Sequence, residues 1–122
     1  MVLHLYVAPT RKEAREECRP YMEQYLRNFR ASAKSWTGRQ SGQYKPYSAL
    51  EQMLNDITYE RVLDETRAII GDPGDVATQL AYVRHTFGEV YPSFQINFGM
   101  MEKPRARRSL ELFARHVMPN FR

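Results

Sequence analysis

The stretch AIIGDPGDVATQL, residues 68–80, decides how this chain folds, because it places a glycine-containing turn between an apolar segment and an amphipathic run. Such a turn either cradles a phosphate or starts a helix. Asp72 suits the N-cap, Pro73 suits the first helical position, and Asp75 adds negative charge to the first turn. The two carboxylates would repel a phosphate, and no lysine follows the turn as a nucleotide-triphosphate loop requires. The stretch therefore predicts a helix start.

The residues after Pro73 continue this helix to a glycine. Its apolar side chains recur at three- and four-residue spacing and would share one face. Gly88 follows at the position where a C-terminal glycine belongs. The residues expected on the buried face are Val76, Leu80, Val83 and Phe87.

A strand and a last helix are predicted downstream. Residues 94–98 alternate, with Phe94, Ile96 and Phe98 on one side and Gln95 and Asn97 on the other, which is typical of a strand. Pro104 then opens a helix that Pro119 ends. The apolar face predicted for this helix consists of Leu110, Phe113, Ala114, Val117 and Met118.

The chain begins with the same kind of alternation, over residues 2–8, followed by a helix. Leu3, Leu5 and Val7 would face one side of a strand, and His4, Tyr6 and Ala8 the other. Thr10 and Glu13 form a capping box for the helix. Pro20 falls inside that helix and predicts a kink or a break. The apolar stripe of the helix is Ala14, Cys18, Tyr21, Met22, Tyr25, Leu26 and Phe29.

The middle of the chain is poorly patterned. Residues 35–47 have no period and are rich in turn formers, so they predict a mobile loop. Trp36, Tyr44 and Tyr47 would either form a lid over a substrate or pack beneath this loop. A short helix is only weakly indicated at 59–65.

The order strand, helices, strand, helix predicts a helix-rich α/β fold with parallel pairing and right-handed crossovers. The 122 residues suit a single domain, residues 1–122, and 43% of them are hydrophobic. The only cysteine, Cys18, cannot form an internal disulfide, which fits a reducing cytoplasm. No apolar run reaches the roughly 20 residues of a membrane helix, and no secretory signal is recognisable.

The net charge of +4 is modest, and its densest part is the run KPRARR at 103–108. Without an accompanying aromatic stacking pattern, this run indicates a solvated helix face, and nucleic-acid binding is not expected. His4, His85 and His116 lack metal-ligand spacing. Ser109 has no partner histidine, so the residues predict neither a catalytic constellation nor a metal site.

Three stretches together resemble a known family. AIIGDPGDVATQL, the closing SLELFARHVMPNFR at 109–122 and LYVAPTRKEAREE at 5–17 are similar to the C-terminal end of the luciferase-like flavin-dependent monooxygenases. The closing element is the most specific of the three. The resemblance covers nearly the whole chain and is loosest across 35–47.

The resemblance implies a (β/α)₈ barrel, which needs about 250 residues. The chain would then hold about the last two strands with their helices. The implied activity is a monooxygenase reaction on an organic substrate, with reduced FMN and oxygen, and a flavin reductase as partner of the full-length enzyme. Most flavin contacts, including the phosphate site, would come from earlier strands.

Candidate site residues follow from barrel geometry, in which function sits at the carboxyl ends of the strands. Asn97 and Gly99 would bind the cofactor, and Tyr6 and Met100 the substrate. Asn97 would donate a hydrogen bond to flavin or satisfy nearby backbone; Gly99 would admit a ring or only turn the chain. His4 and Tyr6 would face the barrel interior.

An alternative to the enzyme is a small non-enzymatic α/β module, derived from the same fold, that binds a ligand or a protein. The two readings differ in whether this chain binds FMN by itself. Strands taken out of a barrel leave sheet edges unpaired, so we also expect a homo-oligomer, in its simplest form a dimer.

Overall fold

The computed structural model describes residues 2–37 and 56–121, without the side chains of 33–37. Residues 35–37 are still helical, whereas the sequence predicted a loop from 35. The rest of that predicted loop, with Tyr44 and Tyr47, and the side chain of Trp36 lie outside the described residues. The elements are β1 Val2–Val7, α1 Arg11–Thr37, α2 Tyr59–Asp64, β2 Ile69–Gly71, α3 Pro73–Phe87, β3 Ser93–Gln95, α4 Lys103–His116 and a 3₁₀ helix Met118–Phe121.

The sheet has three parallel strands in the order β2-β1-β3. The helix-rich α/β class is therefore confirmed. The expectation of two strands was wrong, because β2 has only three residues and is too short to show a period. In the sequence, its residues form only the apolar flank of the turn. In register, Leu5 lies opposite Ile69, Val7 opposite Gly71, Val2 opposite Ser93 and His4 opposite Gln95.

Helices cover both faces of the sheet. Leu5 and Val7 pack with α3 and α4, as predicted for the helix-facing side of β1. Tyr6 was expected to face a barrel interior, but it is buried beneath α1 and α2. Over the described residues the sheet is open, since β3 pairs with the side of β1 that faces away from β2.

The strand predicted at 94–98 is shorter in the structure, where β3 ends at Gln95. Because the chain leaves the sheet there, the alternation does not continue to Phe98. Phe94 and Ile96 pack on the α3 and α4 side, whereas Phe98 is buried against α1. The expectation that all three share one face was therefore wrong at Phe98.

The predicted start and end of α3 are confirmed. Asp72 is the N-cap, its side chain accepts from the Asp75 amide at 2.7 Å, and Gly88 is the C-cap with φ of 77°. Phe87 does not belong to the buried face, because its side chain is 58% exposed.

The first helix departs from its prediction at two positions, Pro20 and Phe29. Thr10 does cap α1, since the Glu13 amide donates to its hydroxyl at 3.2 Å. Pro20, however, lies inside one continuous helix from Arg11 to Thr37, so the expected break is absent. Phe29 is half exposed rather than part of the buried stripe.

The buried face of α4 is rotated from the predicted one. It contains a serine, Ser109, whose hydroxyl accepts a 2.8 Å hydrogen bond from the Val7 amide. β3 pairs with β1 only as far as His4, so this amide has no strand partner on that side. The α4 helix therefore covers the sheet edge that β3 leaves open. Its buried residues are Ala106, Ser109, Phe113 and, at the C-cap, Val117, while Leu110, Ala114 and Met118 are exposed.

Candidate functional site at the carboxyl end of the sheet

The carboxyl ends of parallel strands lie at one edge of a sheet, which is where ligands bind in α/β folds. In this chain, the segments that leave this edge are 8–10 after β1, Asp72 after β2 and 96–101 after β3. The residues predicted for the site fall on these segments or on the strand ends. In the structure, some of these residues are exposed to solvent and others are buried inside the protein.

Asn97 and Met100 are the two predicted residues that the structure presents to solvent. Asn97 is exposed, and Met100 is 84% exposed. Met100 also has a φ of 64°, an uncommon conformation for a residue with a side chain. Both side chains are accessible to a ligand at this edge.

Gly99 has a structural reason to be glycine. Its φ is 63°, and a Cβ atom at this position would overlap the carbonyl oxygen of Tyr21 in α1. The close approach that the sequence suggested therefore exists, but the group that approaches is a helix backbone. The space beside Gly99 is filled by protein.

Tyr6, predicted to contact substrate, is fully buried. Its hydroxyl donates to Glu17 Oε2 at 3.2 Å and accepts from Arg105 Nη1 at 3.4 Å. Burial, the largest cause, raises the pKa of this phenol, opposed by hydrogen bonds from Arg105 and Arg108. Tyr6 therefore stays protonated at neutral pH and acts as a hydrogen-bond donor within the protein.

Two arginines of α4 converge on Glu17 of α1. Arg105 Nη1 lies 2.9 Å from Oε1, and Arg108 Nη2 lies 2.6 Å from Oε1 and 3.0 Å from Oε2. The guanidinium of Arg105 also sits over the Tyr21 ring, 5.8 Å from its centre. These contacts join β1, α1 and α4. Among the described groups, the Arg105 Nε is buried and has no hydrogen-bond partner.

The charges in this cluster compensate one another. Partial burial by itself would raise the pKa of Glu17. The hydrogen bond and the positive charge of Arg108, together with the hydrogen bond from Tyr6 and the charge of Arg105, have the larger effect, so the pKa of Glu17 is lowered. An ionised carboxylate held by two guanidinium groups is a weak general base. The cluster therefore clamps elements together and does not by itself supply acid–base chemistry.

The lowered pKa of Glu17 predicts a pH dependence of stability. Its contribution is complete above the pKa of an unfolded glutamate, about 4.3, and is lost as pH falls through the lower folded-state pKa. We expect the melting temperature to fall steadily as the solution is acidified below pH about 5. Thermal melts of Glu17→Gln are the comparison. Equal acid sensitivity of the variant and the wild type would contradict this assignment.

The helix start after β2 is occupied by its own side chains. The Asp75 carboxylate accepts from the Asp72 amide at 3.3 Å and from Arg11 at 2.6 and 2.9 Å. The hydrogen bond from Arg11 is the main cause that lowers the pKa of Asp75. The reading of this turn as a helix start rather than a phosphate cradle agrees with these contacts.

The remaining chemistry-bearing side chains are internal. Burial raises the pKa of Cys18 to about 12, so this thiol is unreactive at neutral pH, as predicted. His4 packs on Tyr25 with ring centres 4.3 Å apart, and burial lowers its pKa despite a hydrogen bond with Gln95. Within 2–37 and 56–121, no group of three or more potential ligands could hold a metal ion.

A second concave surface lies at the opposite, amino end of β3. It is a groove of about 430 Å³ between α3, the segment 89–92 and the end of α4. Tyr91, on its rim, is 96% exposed. The lining is mostly apolar: Leu80, Val83, Val90, Tyr91, Pro92, Phe94, Phe113, Met118 and Phe121, with Arg84 and Glu89.

Sequence reasoning missed Glu17, Arg105 and Ser109. The three-residue spacing of Arg105 and Arg108 places both on one helix face and was an available signal. Their partner lies about ninety residues away in the chain, and pairing at that distance has no local signature. The run at 103–108 is thus partly engaged in contacts inside the protein.

Comparison with solved structures gives a likeness over the whole chain. No protein-family model matches the chain, and no curated protein matches it. Its structure is similar to that of the monooxygenase RslO1 from Streptomyces bottropensis, with a TM-score of 0.72 and 25% sequence identity. The likeness covers 100% of this chain but 30% of RslO1, so the chain spans less than a third of that protein.

Proposed function

We propose that this chain is the C-terminal part of a flavin-dependent monooxygenase of the luciferase-like kind, built on a (β/α)₈ barrel. The observation that carries the proposal is the similarity of the whole chain to RslO1, a monooxygenase. The three motif stretches at 5–17, 68–80 and 109–122 support it independently. Reduced FMN, oxygen and an organic substrate are the reactants that this proposal entails.

The described residues fit a flavin only in part. Asn97 and Met100 are exposed at the carboxyl end of the sheet, where an amide and an apolar side chain suit the edge of a ring system. Gly99 offers no space, since α1 fills it. Asp72 and Asp75 would repel the phosphate. The phosphate is therefore assigned to parts of a full-length enzyme outside this chain.

Within this proposal, the flavin supplies the oxygen chemistry. Asn97 orients the ring or the substrate by a hydrogen bond, and Met100 covers an apolar surface of the bound molecule. Tyr6 acts one layer deeper: with Glu17 and Arg105 it fixes β1 against α1 and α4 beneath the site.

The test is a titration of the purified chain with oxidised and with reduced FMN, followed by flavin fluorescence or absorbance. We expect saturable binding in the micromolar range, and about a fivefold to tenfold loss in Asn97→Ala. Asn120→Ala, at the opposite end of the molecule, is the matched control and leaves the affinity unchanged. Absence of saturation would contradict flavin binding by this chain.

A non-enzymatic binding module is the second candidate, and the groove at the amino end of β3 favours it. A cavity of about 430 Å³ with mostly apolar walls has the size and lining of small-molecule sites. This candidate predicts that the chain binds an apolar ligand there while flavin has no effect. Titration with an apolar dye that fluoresces when bound separates the two functions. The binding-module candidate predicts that Phe113→Ala weakens the binding of the dye to the groove.

Partners are proposed on the same basis. We expect a homo-oligomer, because large apolar side chains such as Phe87 and Tyr91 are exposed. A flavin reductase would supply reduced flavin to the full-length enzyme. We also propose a cytoplasmic location, because the single cysteine suits a reducing compartment. Among the described helices, none has the length and apolarity to cross a membrane.

A further inference from the structure

His4 lies at the point where the segment 96–101 leaves the sheet. In the parallel register it is opposite Gln95, the last residue of β3. The centre of its ring is 4.3 Å from that of Tyr25 in α1 and 5.0 Å from that of Phe98, which meets it edge to face. One imidazole therefore contacts α1 and the segment 96–101 at the same time.

The Nε2 atom of His4 is buried and has no hydrogen-bond partner. A neutral imidazole tolerates this, because only one of its two nitrogens carries a hydrogen. An imidazolium carries a hydrogen on both, so protonation would leave a charged N–H group among aromatic rings without an acceptor. Burial is the largest cause that lowers the pKa of His4, and the hydrogen bond with Gln95 opposes it only in part. The ring of the folded protein is therefore neutral at pH 7.

The ionisable groups that the structure places around this ring give it no counter-charge. On α1 the neighbour is the phenol of Tyr25, and the next side chain on the same face of β1 is the phenol of Tyr6, which is bonded to Glu17 and Arg105. Residues 93–101 include no ionisable side chain. Among the described residues, no charge contributes to the shift in the pKa of the imidazole.

We propose that His4 is a pH-sensitive latch, whose neutral ring holds the segment 96–101 against α1 and whose protonation releases that segment. Once the segment opens, the ring reaches water, where both N–H groups find acceptors. Opening and protonation are therefore coupled. Because Asn97 and Met100 lie on this segment, acid would displace the two exposed side chains of the candidate site.

The pH range of the latch follows from the direction of the pKa shift. The open population rises as pH falls below about 6.5, the ordinary pKa of imidazole, by at most about tenfold per pH unit. The rise ends at the lower pKa of the folded ring. The contribution of Glu17 is lost only below about pH 4.3, so the two effects occupy different ranges.

The test is amide hydrogen exchange of the chain without flavin at several pH values from 7 to 5, expressed as protection factors. The Met101 amide donates to the Phe98 carbonyl at 3.2 Å and reports whether the segment is packed. We expect its protection to fall by about threefold to twentyfold over this range. The Ala8 amide, which donates to Gly71 in β2, is expected to stay better protected at every pH, because the opening is local.

His4→Phe keeps an aromatic ring at this position and cannot take up a proton, so its Met101 protection is expected to be the same at pH 7 and pH 5. His4→Gln is a second variant that does not titrate. His85→Gln, at an exposed position of α3, is the matched control and keeps the wild-type response.

The proposal would be overturned by a Met101 protection that does not change with pH in the wild type, or by a His4→Phe that responds as the wild type does. Equal protection of Met101 and Ala8 would also overturn it, because the opening would then be global. If neither His4 variant folds, the wild-type ring decides by its NMR titration. A ring that is protonated near pH 6.5 while Met101 stays protected would contradict the latch.

Discussion

Gly99→Ala is expected to lower the free energy of unfolding by at least about 3 kcal/mol, a large part of the stability of a small domain. The added methyl group would overlap the carbonyl oxygen of Tyr21, which belongs to helix backbone and cannot move aside as a flexible side chain would. The φ of 63° adds the strain of a left-handed alanine, about 1–2 kcal/mol. Denaturant unfolding followed by circular dichroism measures the loss.

Gly88→Ala is the matched control. Gly88 has a φ of 77°, but a Cβ atom there would meet nothing within 4 Å. Only the conformational strain applies, and because a φ of 77° with a ψ of −155° is a region almost confined to glycine, we expect a loss of about 1–3 kcal/mol. Equal losses in the two variants would mean that the segment after β3 does not pack against α1 as described.

Ser109→Ala is expected to lower the free energy of unfolding by about 2 kcal/mol, within the 1–3 kcal/mol cost of leaving a buried group unsatisfied. The hydroxyl is the acceptor for the Val7 amide, and Ser109 is fully buried. The alanine leaves that amide without an acceptor at the point where β3 no longer pairs with β1.

Urea unfolding of the purified variants provides the measurement. Ser93→Ala removes a hydroxyl from an exposed position in β3 and is expected to change stability by less than about 0.5 kcal/mol. If Ser109→Ala behaved like Ser93→Ala, the Val7 amide would have another partner, and α4 would not be closing this edge.

Local signals predicted the parts of the fold that local chemistry determines. The Asp72 cap, the Gly88 end of α3 and the burial of Cys18 each depend on residues within a few positions, and each was confirmed. The helix-facing side of β1 was also correct, because period-two alternation fixes which residues share a face.

The errors arose where long-range packing decides. β2 is held in the sheet by its pairing with β1, and three residues are too few to show the alternating pattern of a strand in the sequence. Tyr6 was assigned to substrate because it lies on the opposite face of β1, but α1 covers that face. α1 likewise continues through Pro20, although proline by itself disfavours the interior of a helix. In the site, Asn97 and Met100 are exposed and their assignment to ligands stays a prediction, whereas Gly99 serves the packing of α1.

Mapping the FMN contact by the amide ¹⁵N–¹H spectrum distinguishes the two ends of the sheet, since it gives the location of binding. We expect FMN to shift the amides of 97–101 and of Thr10, at the carboxyl end of the sheet, and to leave those near Tyr91 unchanged. Shifts confined to the groove at the amino end, or none at saturating FMN, would contradict this prediction.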